Sequence, residues 1–332
     1  MPLTQDDCLL VTGATGLVGS HVAEFARECS LRTRALVRPG SDVSRLRDWG
    51  VETVVGDLAD PVSLRAAVAP ANLVVHCAAK VGDWGPLEDY RRVNVQGLRN
   101  LLESVRAAGN VRRFVHISSL GVYEARDHYG TDETEPPSPD GIDGYTTSKA
   151  EAETVVAAAI EEHNLPAVIL RPGFIYGPRD RTVLPRLLDA IRTKRFAYLG
   201  SGEQLMNNTY VGNVVQAVFL ALENEQSAGQ VYNVTDDPIV SKREFISTIA
   251  ELAGYAPPTK TVPLGVARPL ARTLDWTWRL LRIGRPPILS RAQVKFLGLN
   301  LDFSIARARR ELGYRPDYDF QEAILGTMEW FQ

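Results

Sequence analysis

The fold of this chain is decided by one stretch near its start, Cys8-Leu9-Leu10-Val11-Thr12-Gly13-Ala14-Thr15-Gly16-Leu17-Val18-Gly19. The apolar run Cys8–Thr12 predicts a buried strand, and glycines then recur every third residue before a helical pattern begins. Glycine permits a tight turn, close approach of the backbone to a pyrophosphate and close packing of the helix. The N-terminus of that helix would offer free N–H groups to an anion. A plain strand-to-helix turn would use the same residues, but the position at the start of an alternating chain favours a nucleotide site.

The alternation continues through the first half of the chain. Further short apolar runs, separated by amphipathic segments, lie at Thr33–Val37, Thr53–Val55, Leu73–Cys77, Phe114–Ile117 and Ala167–Leu170. Strands buried on both faces belong to a parallel sheet covered by helices, so the pattern predicts a doubly wound α/β architecture.

The pattern changes after Pro172, where turns and helices dominate. We therefore expect a dinucleotide-binding domain of residues 1–172, to which 205–235 return. Residues 173–204 and 236–332 are expected to form a smaller, mostly helical lobe over the sheet's carboxyl edge, where open α/β sheets bind ligands.

Composition restricts the partners. The chain has 332 residues, 45% of them hydrophobic and 23% charged, and a net charge of −3. Lys and Arg are spread along the length, which argues against a nucleic-acid surface and for a small-molecule partner.

Three cysteines, Cys8, Cys29 and Cys77, lack metal-ligand spacing. They are interpreted as reduced packing residues, so a cytoplasmic location is expected and no metal site is predicted. The acidic start is not typical of a secretory signal, and no run approaches the ~20 apolar residues of a membrane-spanning helix.

A second pattern carries chemistry. Tyr145 and Lys149 are four residues apart in a predicted helix, Asp143–Glu162, so their side chains should share one face. A cation there would lower the phenol's pKa and allow proton exchange with a hydroxyl or carbonyl near neutral pH. An exposed i,i+4 pair is the structural alternative.

The end of the second strand bears on the choice of nucleotide. It ends Leu36-Val37-Arg38-Pro39-Gly40-Ser41, without the acid that would bind a free ribose 2′-hydroxyl. The sequence therefore favours NADP(H), with Arg38 on the 2′-phosphate and Ser41 as a helper, while NAD(H) remains an acceptable cofactor. Arg38 could instead be a solvated loop residue.

Two later strand ends fit the same site. Asp57 follows the third strand and could accept a hydrogen bond from an adenine amino group, or cap the helix at Pro61, although Asp60 is better placed for capping. Small residues in Ala78-Ala79-Lys80 would let the backbone approach a cofactor, while the Lys80 side chain could face water.

The ordered set of motifs resembles the extended short-chain dehydrogenase/reductase family over residues 8 to 235. The motifs are Gly13-x-x-Gly16-x-x-Gly19, Gly56-Asp57-Leu58, His76-Cys77-Ala78-Ala79, Asn94-Val95-x-Gly97, Ser118-Ser119, Tyr145-x-x-x-Lys149 and Arg171-Pro172-x-x-x-Tyr176-Gly177-Pro178. The resemblance implies a Rossmann domain and a hydride transfer between a nicotinamide and a carbinol carbon.

The resemblance also implies roles for individual residues. Tyr145 would be the acid/base, Lys149 would lower its pKa and bind the nicotinamide ribose, and Ser119 would polarise the substrate oxygen. Asn94 resembles the family's site-ordering asparagine, although it could merely satisfy backbone groups. The expected cofactor contacts are Gly13, Thr15, Gly16, Leu17, Val18, Gly19, Arg38, Ser41, Asp57, Leu58, Ala78, Ala79, Lys80, Ser118, Tyr145, Lys149, Pro172 and Phe174.

Two positions bear on the substrate. Family members acting on nucleotide sugars typically carry Asn where this chain has Phe174, and an Arg-Asp pair where it has Met206-Asn207. Without that arginine a diphosphate loses its bidentate clamp, so an apolar substrate is expected. The loop around Trp84 resembles the 3β-hydroxysteroid dehydrogenase, 2-alkyl-3-oxoalkanoate reductase and dihydroflavonol reductase-like branch. The expected substrate contacts are Trp84, Ser119, Phe174 and Met206.

The C-terminal part contains a Trp- and Leu-rich helix, Leu264–Leu281, which could roof an apolar pocket or rest on a membrane surface. A lid is expected rather than an anchor, with peripheral membrane contact as the alternative. A core helix with an exposed basic face would have the same composition. The arginines around it are Arg268, Arg272, Arg279, Arg282 and Arg285.

The resemblance implies a homodimer built through two long helices, Pro86–Ala108 and Tyr145–His163. Two other functions remain open at this stage. One is a nucleotide-sugar epimerase or dehydratase, and the other is a non-catalytic NADP-binding regulatory protein.

Overall fold

A seven-stranded parallel sheet organises the larger part of the molecule, seen here in a computed structural model that describes residues 2–281 and 283–331. The strands in chain order are β1 (Cys8–Thr12), β2 (Arg32–Val37), β3 (Glu52–Val55), β4 (Leu73–His76), β5 (Arg113–Ile117), β6 (His128–Thr131), β7 (Ala167–Pro172), β8 (Phe174–Tyr176), β9 (Tyr198–Leu199), β10 (Asn208–Tyr210), β11 (Val231–Val234), β12 (Thr261–Val262) and β13 (Leu301–Phe303). The large sheet has the order β11-β7-β5-β4-β1-β2-β3. The order reverses between β1 and β4, and such a switch point leaves a crevice at the carboxyl ends of the strands. The predicted doubly wound fold is confirmed.

Helices cover both faces of this sheet and form most of the smaller lobe. In chain order the helices are α1 (Leu17–Glu28), α2 (Ser44–Asp48), α3 (Pro61–Val68), α4 (Leu87–Tyr90), α5 (Gly97–Ala108), α6 (Gly144–His163), α7 (Leu184–Arg192), α8 (Val211–Glu223), α9 (Lys242–Leu252), α10 (Leu264–Leu280), α11 (Arg291–Gly298), α12 (Ala306–Leu312) and α13 (Phe320–Phe331). Shorter 3₁₀ turns lie at Leu120–Val122 and Glu225–Ser227.

The predicted continuous helix from Pro86 to Ala108 is interrupted. It consists of α4, a π-helical segment at Arg91–Gln96, and α5. A π-helical turn inside a helix is often found at a functional site. Here it carries Asn94, which is buried.

The core lies in two layers, one on each side of the sheet. On one side α1 and α8 pack through residues such as Val22 and Val218, and on the other α3, α5 and α6 pack through residues such as Leu64, Leu101 and Val156. Fully buried strands explain the near-continuous apolar runs in the sequence.

The smaller lobe has its own apolar core, formed by α7, α9 and α13 around Tyr176, Phe245 and Phe320. The structure divides the predicted domains differently at two places. Residues Ile305, Ala308, Leu312 and Tyr314 pack with the sheet, not with the lobe to which the sequence assigned them. Within the stretch 205–235 that was expected to return to the sheet, β11 pairs in parallel with β7, but Met206 and Tyr210 pack in the lobe core.

No helix within residues 2–281 and 283–331 combines the length and apolar character needed to cross a membrane.

Candidate active site

The glycine-rich turn connects β1 to α1 and packs closely against the end of β4. Gly13 has φ +71°, and a Cβ there would come within 2.7 Å of the Ala78 backbone nitrogen. A Cβ on Gly19 would overlap the carbonyl oxygen of Gly13. These positions therefore require glycine, because only glycine allows both the backbone angle and the close approach of α1.

The N-terminus of α1 is open. Gly16 is the N-cap residue, no side chain caps the helix, and its first turn carries no acidic residue. A twelve-residue helix with uncapped N–H groups behind a glycine turn fits a pyrophosphate, as the predicted contacts from Gly13 to Gly19 require.

Asn94 ties this end of the sheet to α6. Its Oδ1 accepts a hydrogen bond from the Lys80 N–H at 2.7 Å, and its Nδ2 lies 3.1 Å from the Lys80 carbonyl oxygen. The same Nδ2 donates to Ser148 Oγ at 2.9 Å. Asn94 thus satisfies backbone groups and also fixes the loop after β4 against α6, beside Lys149.

The ends of β2 and β3 present the other predicted nucleotide contacts. Arg38 is exposed directly after β2, and the Ser41 N–H bonds the Arg38 carbonyl in a tight turn. Asp57 Oδ1 accepts from the Ala59 N–H at 2.8 Å, while Asp60 caps α3, as the sequence predicted. Leu58 is buried next to the place that a Cβ on Gly97 would occupy.

Lys149 lies deep beneath the site. Its Nζ donates to the carbonyl oxygen of Ile117, the last residue of β5, at 2.6 Å. Burial lowers the pKa of Lys149 to about 8, partly offset by Cys77 and Glu153 nearby. The Lys149 ammonium is therefore held at the carboxyl end of the sheet, because Ile117, whose carbonyl accepts from it, lies two residues before Ser119.

Tyr145 and Ser119 meet across α6 and the turn after β5. The Ser119 Oγ accepts from the Gly121 N–H at 3.0 Å, and the Ser119 hydroxyl lies close enough to the Tyr145 phenol to favour the phenolate. Burial raises the pKa of Tyr145 to about 12, the Ser119 hydroxyl opposes this shift, and the Asp143 carboxylate adds to it.

This direction corrects one expectation from the sequence. A nearby cation was expected to lower the pKa of Tyr145, whereas the net shift is upward because burial outweighs the effect of the Ser119 hydroxyl. Lys149 donates to a backbone carbonyl in this state instead of the phenol. A phenol with a raised pKa stays protonated at neutral pH, so it is suited to giving a proton to a carbonyl oxygen.

Ser118 has a different role from its neighbour. Its hydroxyl donates to Glu153, which forms a buried ion pair with Arg171 at 2.6 Å. Arg171 also donates to the Tyr123 hydroxyl at 2.7 Å. The Ser118 side chain is thus engaged in a buried network between α6 and β7. Because the Ser118 N–H also donates to the Leu170 carbonyl at 2.7 Å, only its own carbonyl oxygen remains for a cofactor contact.

The predicted substrate residues after β7 lie at the boundary with the lobe. Pro172 is buried at the end of β7, and the Phe174 ring packs 4.8 Å from Phe296 and 5.8 Å from Phe245, between ring centroids. Met206 is only 2% exposed within the lobe core. This position does not support direct contact of Met206 with a substrate.

The loop around Trp84 joins the two lobes. Trp84 Nε1 donates to the Ile283 carbonyl at 3.1 Å, and Ser290 Oγ donates to Asp83 at 3.2 Å. The Arg279 guanidinium stacks 5.5 Å from the Trp84 ring centroid. Arg279, Ile283 and Ser290 therefore hold the segment after Leu264 against this loop, in the place where a lid was expected, while Arg282 lies outside the described residues.

Sequence reasoning missed Lys295. From α11 its Nζ donates to the carbonyl oxygens of Gly121 and Tyr123, at 2.9 and 2.8 Å, beside the Ser119 turn. Burial lowers the pKa of Lys295 to about 8, with Asp143 opposing the shift. Lys295 and Gly121 are 174 positions apart in the sequence, and no sequence pattern predicts their contact, because only the fold of the lobe brings them together.

The described parts of the chain contain no group of three or more His, Cys, Asp or Glu side chains that could hold a metal ion.

Comparison with known proteins gives a consistent result. The sequence profile of the NAD dependent epimerase/dehydratase family matches residues 9–235. A 4-hydroxy-2-methyl-3-oxo-4-farnesyl-3,4-dihydroquinoline-1-oxide ketoreductase of Stigmatella aurantiaca is 32% identical, covering 95% of this chain and 93% of its own. A 2-alkyl-3-oxoalkanoate reductase of Stenotrophomonas maltophilia is also 32% identical, covering 95% and 97%. A 3-beta-hydroxysteroid dehydrogenase of Mycolicibacterium neoaurum is 29% identical, covering 97% and 91%.

A solved structure supports the same assignment. The crystal structure of gox2253 superposes with a TM-score of 0.83 at 33% identity, covering 98% of both chains. Together with the glycine turn and the Ser119, Tyr145 and Lys149 arrangement, these matches confirm the resemblance seen in the sequence. The chain therefore belongs to the NAD dependent epimerase/dehydratase family, the extended short-chain dehydrogenases/reductases.

Proposed function

We propose that this protein is a nicotinamide-dependent oxidoreductase that interconverts a secondary alcohol and a ketone on a bulky, largely apolar substrate. The observation that carries the proposal is the contact of the Ser119 hydroxyl with the Tyr145 phenol, next to buried Lys149, at the carboxyl edge of the sheet. The relatives' names, which describe reductases and a dehydrogenase, support the same reaction type.

Each side chain has a defined task in this proposal. The bound nicotinamide supplies or accepts the hydride. Ser119 holds the substrate oxygen, and Tyr145 donates a proton to it during ketone reduction. Lys149 provides a positive charge below the site, and Asn94 positions the loop after β4 and α6.

The cofactor is proposed to be NADP(H) in preference to NAD(H). Arg38 is exposed at the tip of β2, where a 2′-phosphate would lie, and Ser41 sits in the same turn. The nearest downstream acid, Asp42, is already engaged, because its Oδ1 accepts hydrogen bonds from the Ser44 N–H and hydroxyl.

The substrate is proposed to be apolar near the reacting carbon. Phe174 presents an aromatic ring where nucleotide-sugar enzymes typically carry asparagine, and Met206, at the position of their arginine, is buried. Trp84 lies on the loop that the lid covers. A sterol with a neighbouring carboxylate, a 3-oxo acid and a dihydroflavonol-like ketone all fit this description.

The cellular location and the assembly state of the enzyme are also proposed. All three cysteines are free thiols, which suits a reducing cytoplasm. A homodimer is proposed through α5 and α6, whose outer faces border one surface groove that includes Leu102, Arg106 and Ala158.

A substrate screen tests the proposal. Purified protein with NADPH is offered steroid 3-ketones, 2-alkyl-3-oxoacyl compounds, dihydroflavonols and UDP-glucose, and the loss of NADPH absorbance is followed. We expect turnover with at least one apolar ketone, absent in Tyr145→Phe. Conversion of UDP-glucose to UDP-galactose, without net NADPH use and without any ketone reduction, would favour the epimerase reaction named in the family description.

A further inference from the structure

The outward side of α10 and the turn after it is unusually apolar. Single exposed apolar side chains are normal, but a continuous set usually marks an interaction site. The exposed fractions are 56% for Val266, 45% for Leu270, 66% for Trp276, 63% for Leu280, 63% for Leu281 and 88% for Ile288.

Helical spacing places the exposed apolar residues of α10 on one face. Val266 and Leu270, and then Trp276 and Leu280, are four residues apart, so their side chains are neighbours along the helix. The opposite side packs against the protein through Ala267 and Ala271.

The two threonines on this face use their hydroxyl groups within the helix. Thr273 Oγ1 donates to the Pro269 carbonyl at 3.0 Å, and Thr277 Oγ1 donates to the Thr273 carbonyl at 2.8 Å. Both hydroxyls therefore donate to the helix backbone, which leaves the threonine methyl groups to add to the apolar surface.

A basic stripe runs along one border of the face. Arg268 and Arg272 are exposed and lie on adjacent turns of α10, and Arg279, two turns later and also exposed, stacks on the Trp84 ring. The one acidic residue of this helix, Asp275, is 6% exposed and turned inward, where it accepts from the Arg291 N–H. The exposed surface of α10 thus combines an apolar face with positive charge alone.

We propose that α10 and its following turn dock on a lipid surface that carries anionic head groups. The apolar face would enter the interface beneath the head groups, Trp276 would sit at their level, and the arginines would contact phosphates. A second copy of the chain is a poorer occupant, because in a two-fold contact through this face each copy would offer the other no exposed acidic residue of α10 to pair with its arginines. One side of α10 would then face the lipid while its other side covers the Trp84 loop. If the protein acts on an apolar substrate, as proposed above, this arrangement would let the substrate pass from the lipid to the site.

Vesicle sedimentation of the full chain tests the docking. Sucrose-loaded vesicles of phosphatidylcholine, with and without phosphatidylglycerol, are mixed with wild type, with Trp276→Ser/Leu280→Ser/Leu281→Ser, and with Arg268→Gln/Arg272→Gln. Wild type should sediment only with the anionic vesicles. Each variant should partition at least about tenfold less, because apolar insertion and charge both contribute.

Matched controls exclude a general surface effect. Val55, Val62 and Tyr129 are 63%, 66% and 77% exposed elsewhere, and their triple serine variant should sediment like wild type. Exposed Arg47 and Arg65 provide the control for charge, as Arg47→Gln/Arg65→Gln.

Three results would overturn the docking proposal. The first is wild type that stays in solution with anionic vesicles, and the second is that both variants of α10 sediment as wild type does. The third is a loss of self-association, measured by light scattering, in the Trp276→Ser/Leu280→Ser/Leu281→Ser variant, which would assign the face to a second copy. Sedimentation needs no turnover, so failure here and failure of the proposed reaction are separate results.

Discussion

The phenol of Tyr145 and the ammonium of Lys149 are shifted in opposite directions by the same cause. Burial disfavours the charged form of each group, so the pKa of Tyr145 rises to about 12 and that of Lys149 falls to about 8. A phenol that stays protonated at neutral pH is suited to the proton donation proposed for ketone reduction.

At the residue scale Arg38 carries the proposed preference for NADPH. Arg38→Ala should weaken NADPH binding by about tenfold or more, because hydrogen bonds to a charged group contribute about 1.5–3 kcal/mol. NADH binding should change little. Fluorescence titration with both nucleotides measures this, with exposed Arg47→Ala as the control. Equal losses for NADPH and NADH would dismiss the phosphate contact.

The sequence predicted the reacting residue types but not their surroundings. Tyr145, Lys149 and Ser119 stand in an ordered motif and could be named in advance. Lys295 could not, because its proximity to the site depends on how α11 folds back. The pKa of Tyr145 was predicted in the wrong direction because burial depends on the packing of distant segments.

At the scale of elements, α6 and β7 are joined by the buried pair of Glu153 and Arg171, whose side chains are 5% and 4% exposed. Glu153→Ala should cost about 3–5 kcal/mol of unfolding free energy, because it leaves a buried guanidinium without its partner. Urea unfolding measures the loss.

The exposed pair of Arg243 and Glu203 provides the control. Glu203→Ala should cost no more than about 1 kcal/mol. Similar losses in the two variants would mean that burial does not decide the strength of the first pair.

The strands β4 and β5 carry a stacked pair, His76 and His116, at matching register with ring centroids 5.5 Å apart. Burial, and then the positive charge of Lys149, lower the pKa of His76 to about 3 and that of His116 well below its usual range. Below pH 6.5 the unfolded chain therefore binds protons that the folded chain does not, so stability falls as the pH falls.

The expected loss for this pair between pH 6.5 and 5.5 is roughly 2 kcal/mol. His116→Gln should reduce that pH-dependent loss by about half, measured by urea unfolding at both pH values. His163→Gln, on the surface, should leave it unchanged. A pH dependence in His116→Gln equal to that of wild type would show that His116 does not contribute.

The elements themselves were largely predictable. Buried strands and helices leave periodic patterns, so the predicted helices Asp143–Glu162 and Leu264–Leu281 agree with α6 and α10 to within one residue at each end. The interruption at Arg91–Gln96 was missed, because a π-helical turn has no periodic signature and here accompanies tertiary hydrogen bonds of Asn94.

At the scale of the whole molecule, the sheet domain and the smaller lobe are connected by more than one crossing of the chain. The sequence predicted that part of the chain after Pro172 would return to the sheet domain, at 205–235, but not that Ile305 and Leu312 would also pack there. The apolar pattern of α12 is compatible with either core. Contacts between domains depend on three-dimensional packing, which a single sequence leaves open.

Assembly is the whole-molecule property that the family resemblance predicts. Light scattering should give about twice the chain mass of 36.6 kDa. Ala158→Arg, in the groove between α5 and α6, should give the single-chain mass, because it places charge in the proposed interface. Ala66→Arg on α3 provides the control, and a single-chain mass for wild type would refute the dimer.

The central claim is that Tyr145 moves the proton during the redox step. The most direct test is Tyr145→Phe, assayed with a ketone that wild type reduces, together with NADPH titration of the same sample. Turnover should fall by about two to four orders of magnitude while NADPH affinity stays close to wild type, because only the proton donor is removed. Turnover near the wild-type rate in this variant would contradict the account.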